Sequence, residues 1–67
     1  MGVLTGREVE ILRLAAQGKT SAQTAAILDI TRRTADAHRQ AIMVKLEVAN
    51  ITQAVAVAMR DGIITLN

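Results

Sequence analysis

Apolar residues recur at steps of three and four along most of the chain, and each such stretch follows a residue suited to opening a helix. Val9, Ile11, Leu12, Leu14 and Ala15 form the first stripe of helical period. It begins on Thr5-Gly6-Arg7-Glu8, the spacing of a capping box: the threonine oxygen accepts from the third backbone N–H while the glutamate accepts from the threonine N–H. Gly18 can end this helix in a left-handed conformation. Thr20-Ser21-Ala22-Gln23 repeats the box for a short second helix to about Leu28, and Asp29 follows as a turn residue that tolerates positive φ. Thr31 caps a third helix through Leu46, and Asn50-Ile51-Thr52-Gln53 caps a fourth that runs to about Arg60, before Gly62. The pattern predicts an all-α fold over residues 1–67, one domain of four short helices joined by links of three or four residues.

The third helix separates two faces. Thr34, Ala35, His38, Ile42 and Leu46 recur at helical steps and are expected to face the core. Arg33, Asp36, Ala37, Gln40, Ala41 and Val44 fall on the opposite side, flanked by Arg32 and Arg39. Solvated helix faces carry long charged side chains at most positions; this one mixes donors, an acid and alanines, which permits close approach to another surface, a DNA groove or a protein. The fourth helix differs. Ile51, Ala54, Val55, Ala56, Val57, Ala58 and Met59 leave it almost no polar side, and an apolar surface of that size is ordinarily covered. Self-association through this helix is expected, with Ile51, Val55, Ala58 and Met59 at the interface. The plainer reading is an alanine-rich helix whose small side chains expose little.

Composition narrows the chemistry. With no Cys, Phe, Trp or Tyr the core is aliphatic and has no disulfide or thiolate-metal support. A domain of this size buries roughly 60% of its unfolded surface and draws about 3–5 kcal/mol from its core. The longest apolar run, Ala54 to Met59, is far short of the roughly 18–20 residues that span a bilayer. No signal-peptide pattern opens the chain, and Met1-Gly2 lacks the Ser or Thr that myristoylation needs where Gly6 stands. Met1-Gly2 reads instead as a start introduced where a longer chain was cut. A soluble, cytoplasmic protein with no membrane partner is expected. One His, one Ser and no Cys offer no nucleophile–base pairing, and His38 with scattered carboxylates gives no metal-ligand spacing. Neither a GxGxxG nor a Walker A loop is present. No enzymatic role, cofactor, metal or small-molecule ligand is expected of this stretch.

Charge brings the pieces together. The net charge is only +2, yet Arg32, Arg33, Arg39 and Lys45 face a single acid, Asp36, across one segment. Such clustering suits a polyanion. A short helix, the tight Leu28-Asp29-Ile30 turn and a longer basic helix make a helix-turn-helix over about 20–46, in which the second helix enters the major groove. Helix N-termini favour phosphate, and Lys19, Thr20 and Ser21 stand at one, Thr31, Arg32 and Arg33 at the other.

These residues resemble the LuxR/FixJ/GerE-type DNA-binding domain. Leu4-Thr5-Gly6-Arg7-Glu8-Val9-Glu10-Ile11-Leu12-Arg13-Leu14 is similar to that family's LTxRExEVLxL opening, and Gly18-Lys19-Thr20-Ser21 with Ala25, Leu28 and Ile30 to its second helix and turn. Thr31-Arg32-Arg33-Thr34-Ala35-Asp36-Ala37-His38-Arg39 resembles its S-x-x-T-V-x-x-H recognition helix, and Lys45-Leu46-Glu47-Val48-Ala49-Asn50 its KLxVxN link. Gln53-Ala54-Val55-Ala56 and Gly62-Ile63-Ile64 resemble the last helix of acyl-homoserine-lactone receptors, which points to quorum-sensing regulators. The resemblance implies a transcription-regulator module that binds double-stranded promoter DNA as a homodimer through its last helix, about 50–60, with RNA polymerase a further partner. The recognition helix, 32–46, would place Arg33, Asp36, Ala37 and Gln40 against base edges, with Ala41 nearby. Lys19, Thr20, Ser21, Arg32, Thr34, Arg39 and Lys45 would meet the DNA backbone. In the quorum-sensing members a separate N-terminal domain binds the lactone, so this stretch reads as an isolated effector half or a free-standing small regulator.

Three positions depart from the pattern. Asp36 stands where relatives often carry Lys or Arg; an acid there accepts from a cytosine amino group but repels phosphate. Thr24 and Ala35 stand where relatives commonly have Ile and Val, and the lost methyl groups predict low thermal stability. The competing class, a helical protein-interaction or dimerisation module without DNA binding, draws on Asp36 and the alanine-rich outer face.

Overall fold

Every helix in this chain starts on an oxygen-bearing cap and ends on a residue at positive φ or immediately before one. The computed structural model describes residues 4–65, so the reading of Met1-Gly2 lies outside the described residues. Four helices follow in order, α1 (Gly6–Ala16), α2 (Ser21–Leu28), α3 (Arg32–Leu46) and α4 (Ile51–Arg60), and there is no strand among the described residues. Both predicted capping boxes are present: Thr5 Oγ1 accepts from the Glu8 N–H at 3.2 Å while Glu8 Oε1 accepts from the Thr5 N–H at 2.9 Å, and Thr20 with Gln23 repeats the arrangement at 3.1 and 2.9 Å. Thr31 and Asn50 cap α3 and α4 by accepting from the Thr34 and Gln53 N–H groups.

The helix ends share one device. A left-handed residue follows or closes each last turn: Gly18, Asp29, Glu47 and Gly62, with φ of 85°, 57°, 57° and 74°. The next residue then donates its N–H to a carbonyl five residues back, as Lys19 does to Leu14, Ile30 to Ala25, Val48 to Met43 and Ile63 to Ala58. This Schellman geometry satisfies carbonyls that the helix leaves open. Glu47 is the unexpected member, because a long side chain seldom adopts positive φ; its place is set by Val48, which it turns back onto the core.

The core is built from Ile11 and Leu12 of α1, Ile42 of α3, Ala54 and Ala58 of α4, and Ile64 beyond α4. Leu4, Val9, Leu28, Leu46, Val48, Ile51 and Val55 close around it. Burying each Ile or Leu fully contributes about 1.5–3 kcal/mol. The alanines contribute little area themselves, but with no bulk beyond Cβ they let α4 pack against α1 and α3. α2 packs on α3 and α1, so the helix-turn-helix forms one side of the molecule. Ala35 is completely buried in α3, but Thr34, expected on that inward side, is exposed. Its hydroxyl instead accepts a hydrogen bond from Thr31 Oγ1 at 2.9 Å at the start of the helix. Thr24, fully buried in α2, has no hydrogen-bond partner for its hydroxyl among the described residues.

No single helix among the described residues is long and apolar enough to cross a membrane; α3 and α4 together have the composition but meet at 55°. No group of three or more potential metal ligands occurs among the described residues.

Candidate nucleic-acid interface

The outer face of α3 carries side chains that the rest of the chain does not use. Arg33, Asp36, Ala37, Gln40 and Val44 are exposed, and Ala41 is half-buried at its edge. Val44 is 67% exposed, an aliphatic group presented to solvent at the far end of this stripe. The stripe follows from the helical period: once Ala35 and Ile42 are fixed in the core, residues 33, 37, 40 and 44 turn away from it. Arg32 and Asp36 lie one turn apart, their nearest charged atoms separated by 3.9 Å.

Beside this face runs an open groove of about 550 Å³, lined by Ala15, Gly18, Lys19, Thr20, Ser21, Ala22, Arg32, Arg39 and Ile51. It contains three cations and no acid. It lies at the start of α2, where Thr20 Oγ1 has taken the Gln23 N–H and Thr20 O the Thr24 N–H. The first two N–H groups of a helix have no partner within it, and those of α2 belong to Ser21 and Ala22 of the groove lining. The helix dipole adds partial positive charge at the same place.

Two of the expected phosphate ligands are engaged inside the molecule. Arg39 is half-buried and its Nη2 donates to the Lys19 carbonyl at 2.8 Å. It thereby fixes the link between α1 and α2 against α3, and its buried Nε lacks a partner among the described residues. Lys45 Nζ donates to both oxygens of Glu8, at 2.8 and 3.1 Å. The Glu8 side chain is only 5% exposed and that of Lys45 36%. Burial pushes the Glu8 carboxyl up, but hydrogen bonds from Lys45 and Thr5 and the Lys45 charge together hold it below its ordinary value. Lys45 is therefore the counter-ion of a buried carboxylate that also closes the first capping box. Lys19 and Ser21 are half-buried, and Thr20, Arg32 and Thr34 exposed.

Sequence reasoning saw Glu8 only as a cap. Its pairing with Lys45 spans 37 positions, and no local spacing marks it. His38 is half-buried on the inner side of α3.

The last helix is less bare than its composition suggests. Ala54 and Ala58 are fully buried, and Ile51 and Val55 are half-buried against the core. Ala58, expected at a dimer face, has no surface to offer a second copy, because the core needs it. Met59, 38% exposed, remains outward with Thr52, Gln53, Ala56 and Arg60.

The pattern that defines the bacterial regulatory proteins of the luxR family matches residues 2–58. Among related sequences, the chain is 51% identical over 63 residues to the HTH-type quorum sensing-dependent transcriptional regulator RpaR of Rhodopseudomonas palustris, covering 94% of this chain and 26% of that protein. It is 47% identical over 64 residues to the quorum sensing-dependent regulator VjbR of Brucella abortus, covering 96% and 25%. It is also 43% identical over 63 residues to the uncharacterized response regulatory protein YgeK of Escherichia coli, covering 94% and 43%. The chain thus spans between a quarter and under half the length of these relatives. Among solved structures, the transcription factor GerE superposes with a TM-score of 0.93 at 30% identity, each chain covered completely.

Proposed function

The chain belongs to the luxR family of bacterial regulatory proteins, and from that premise we propose that it is the module by which a transcription regulator reads a promoter, inserting α3 into the major groove of double-stranded DNA. The observation that carries this reading is the pairing of an uncommitted outer face on α3 with an acid-free cationic groove at the start of α2. A helix presented next to a phosphate-binding helix N-terminus matches the docking geometry of helix-turn-helix proteins. Arg33, Asp36, Ala37 and Gln40 meet base edges; Arg33 suits guanine and Gln40 adenine by bidentate geometry. Lys19, Thr20, Ser21, Arg32 and Thr34 meet the backbone. Arg39 acts there through the carbonyl it holds, and Lys45 acts by supporting the placement of α3 on α1.

The module works as a homodimer through α4, with Met59 outward and the half-buried Ile51 and Val55 beside it, and with RNA polymerase as a further partner. The relatives named for quorum sensing favour a regulator of that kind. The test is a selection of the purified chain against a randomised duplex pool. Two half-sites related by a two-fold axis and about one helical turn apart are expected. Enrichment of no sequence at low salt would overturn the reading in favour of a protein-interaction module.

A further inference from the structure

The chain has two lysines, and the fold puts them in opposite surroundings. Lys45 Nζ donates to both oxygens of Glu8, at 2.8 and 3.1 Å, and that carboxylate is nearly buried. Lys19 is half-buried on the link between α1 and α2, and its side chain joins no ion pair among the described residues. It lines instead the acid-free groove of about 550 Å³ that Arg32 and Arg39 also line. Arg39 Nη2 donates to the Lys19 carbonyl at 2.8 Å, which fixes the Lys19 backbone at the groove. These surroundings decide which amine can act as a nucleophile. A lysine attacks a carbonyl carbon through the lone pair of its neutral amine. Lys45 reaches that form only by giving up the charge that balances a buried carboxylate, a costly loss. Lys19 has no such bond to break. The guanidiniums beside it attract a phosphate, and phosphate is the leaving group of an acyl phosphate.

We propose that Lys19 is an acylation site, at which transfer from an acyl phosphate weakens the hold of the groove on DNA. The regulatory part rests on the DNA-binding reading above. Lys19 Nζ forms an amide bond with the acyl carbon, the bond from that carbon to the phosphate oxygen breaks, and its electron pair leaves with the phosphate. Two protons leave the ammonium, one taken by the released phosphate and one by water. Arg32 attracts the phosphate end of the donor during the transfer. The product is a neutral amide, so the groove falls from three cations to two and loses a donor suited to the DNA backbone. DNA and the acyl donor compete for the same groove. The chain on DNA is therefore protected, and the free chain is modified.

The experiment treats the whole chain with acetyl phosphate and, separately, with the uncharged acetyl ester of N-hydroxysuccinimide. Cleavage at arginine then puts Lys19 and Lys45 on separate peptides, 14–32 and 40–60, for mass spectrometry. Acetyl phosphate should modify Lys19 faster than Lys45 by about tenfold. Bound duplex should suppress the reaction at Lys19 and leave Lys45 unchanged. Arg32 is exposed, so R32Q folds; it should slow Lys19 several-fold with acetyl phosphate but not with the uncharged ester. The acetylated chain should bind duplex with a salt slope lower by about one phosphate. K19R keeps the charge and offers no amine there, so the same treatment should leave its slope unchanged. Equal modification of the two lysines overturns the proposal. So does an R32Q that leaves the two reagents in the same ratio, because the groove then gathers no phosphate. A chain that binds duplex while Lys19 stays unprotected, or a K19R that loses as much slope as the parent, overturns it as well. A chain that binds no duplex at low salt brings down the DNA-binding reading itself, while the ratio of the two lysines, read without DNA, still decides the acylation.

Discussion

α3 and α4 pack on the same core, yet they dispose of their side chains in opposite ways. α3 buries Ala35 and Ile42 and leaves Arg33, Asp36, Ala37, Gln40 and Val44 outside. α4 is far more apolar in sequence, but buries Ala54 and Ala58 completely and half-buries Ile51, Val55 and Val57. The contrast teaches that apolar content does not measure exposed apolar surface. What decides is how closely the backbone approaches the core, and two alanines one turn apart bring α4 close. The surface most available to a partner is therefore on the more polar helix.

The comparison breaks first at Ala58. Replacing it with Leu overfills the contact between α4 and the core and should destabilise by about 1–3 kcal/mol, a large part of the stability such a domain has. Thermal unfolding by circular dichroism reads this directly, and an unchanged midpoint would return Ala58 to the surface. On α3, Q40A should lose about 1–3 kcal/mol of preference at one base pair while leaving thermal stability nearly untouched. A uniform loss on every duplex would show that Gln40 reads no base.

The link from α3 back to α1 comes next. E8Q keeps an acceptor for the Thr5 N–H but removes the charge facing Lys45. Because Lys45 is over a third exposed, the cost is discounted from that of a fully buried pair to about 1–2 kcal/mol. The Glu8 carboxyl titrates below its ordinary 4.5 when folded. Its contribution is thus fully present above that value and is lost as pH falls through the folded value. The unaltered chain should lose stability on acidification below about pH 4.5, and E8Q should show a flatter acid limb; parallel limbs would contradict the pairing.

T24V removes a buried hydroxyl that has no partner among the described residues and keeps the shape, so it should stabilise by about 1 kcal/mol, or roughly 4–8 °C in Tm. A loss of stability would mean that the hydroxyl is satisfied. The smallest effect is expected from M59S. Its fold stability should stay within about 0.5 kcal/mol, while sedimentation equilibrium should show weaker self-association. An unchanged association constant would exclude Met59 from the dimer contact.

Much of this architecture was legible because its signals are local. Thr5, Thr20, Thr31 and Asn50 each announce a helix within four residues, and Gly18, Asp29 and Gly62 mark ends. Glu47 gave no such warning, since its positive φ answers to the packing of Val48 rather than to its own preference. Helical period alone puts Thr34 inward, but a threonine three residues after another at a helix start can bond to it sideways, as Thr34 does to Thr31. The candidate site divides in the same way. The outer stripe of α3 follows from helical period once Ile42 is known to be buried. The engagements of Arg39 with Lys19 and of Lys45 with Glu8 cross 20 and 37 positions, and long side chains in a basic segment read equally well as phosphate ligands or as internal struts. Composition does not say which side of α4 the core claims, and the core claims Ala58.

The central claim, that the α3 face and the neighbouring groove meet DNA, is tested most directly by the affinity of a labelled duplex for the chain between about 50 and 200 mM salt. The label belongs on the DNA, since the chain has no aromatic residue. Log affinity should fall linearly with log salt, with a slope equivalent to several phosphates that drops by about one when Lys19 is replaced by Ala. Binding that ignores salt, or no binding at the lowest salt, would contradict it.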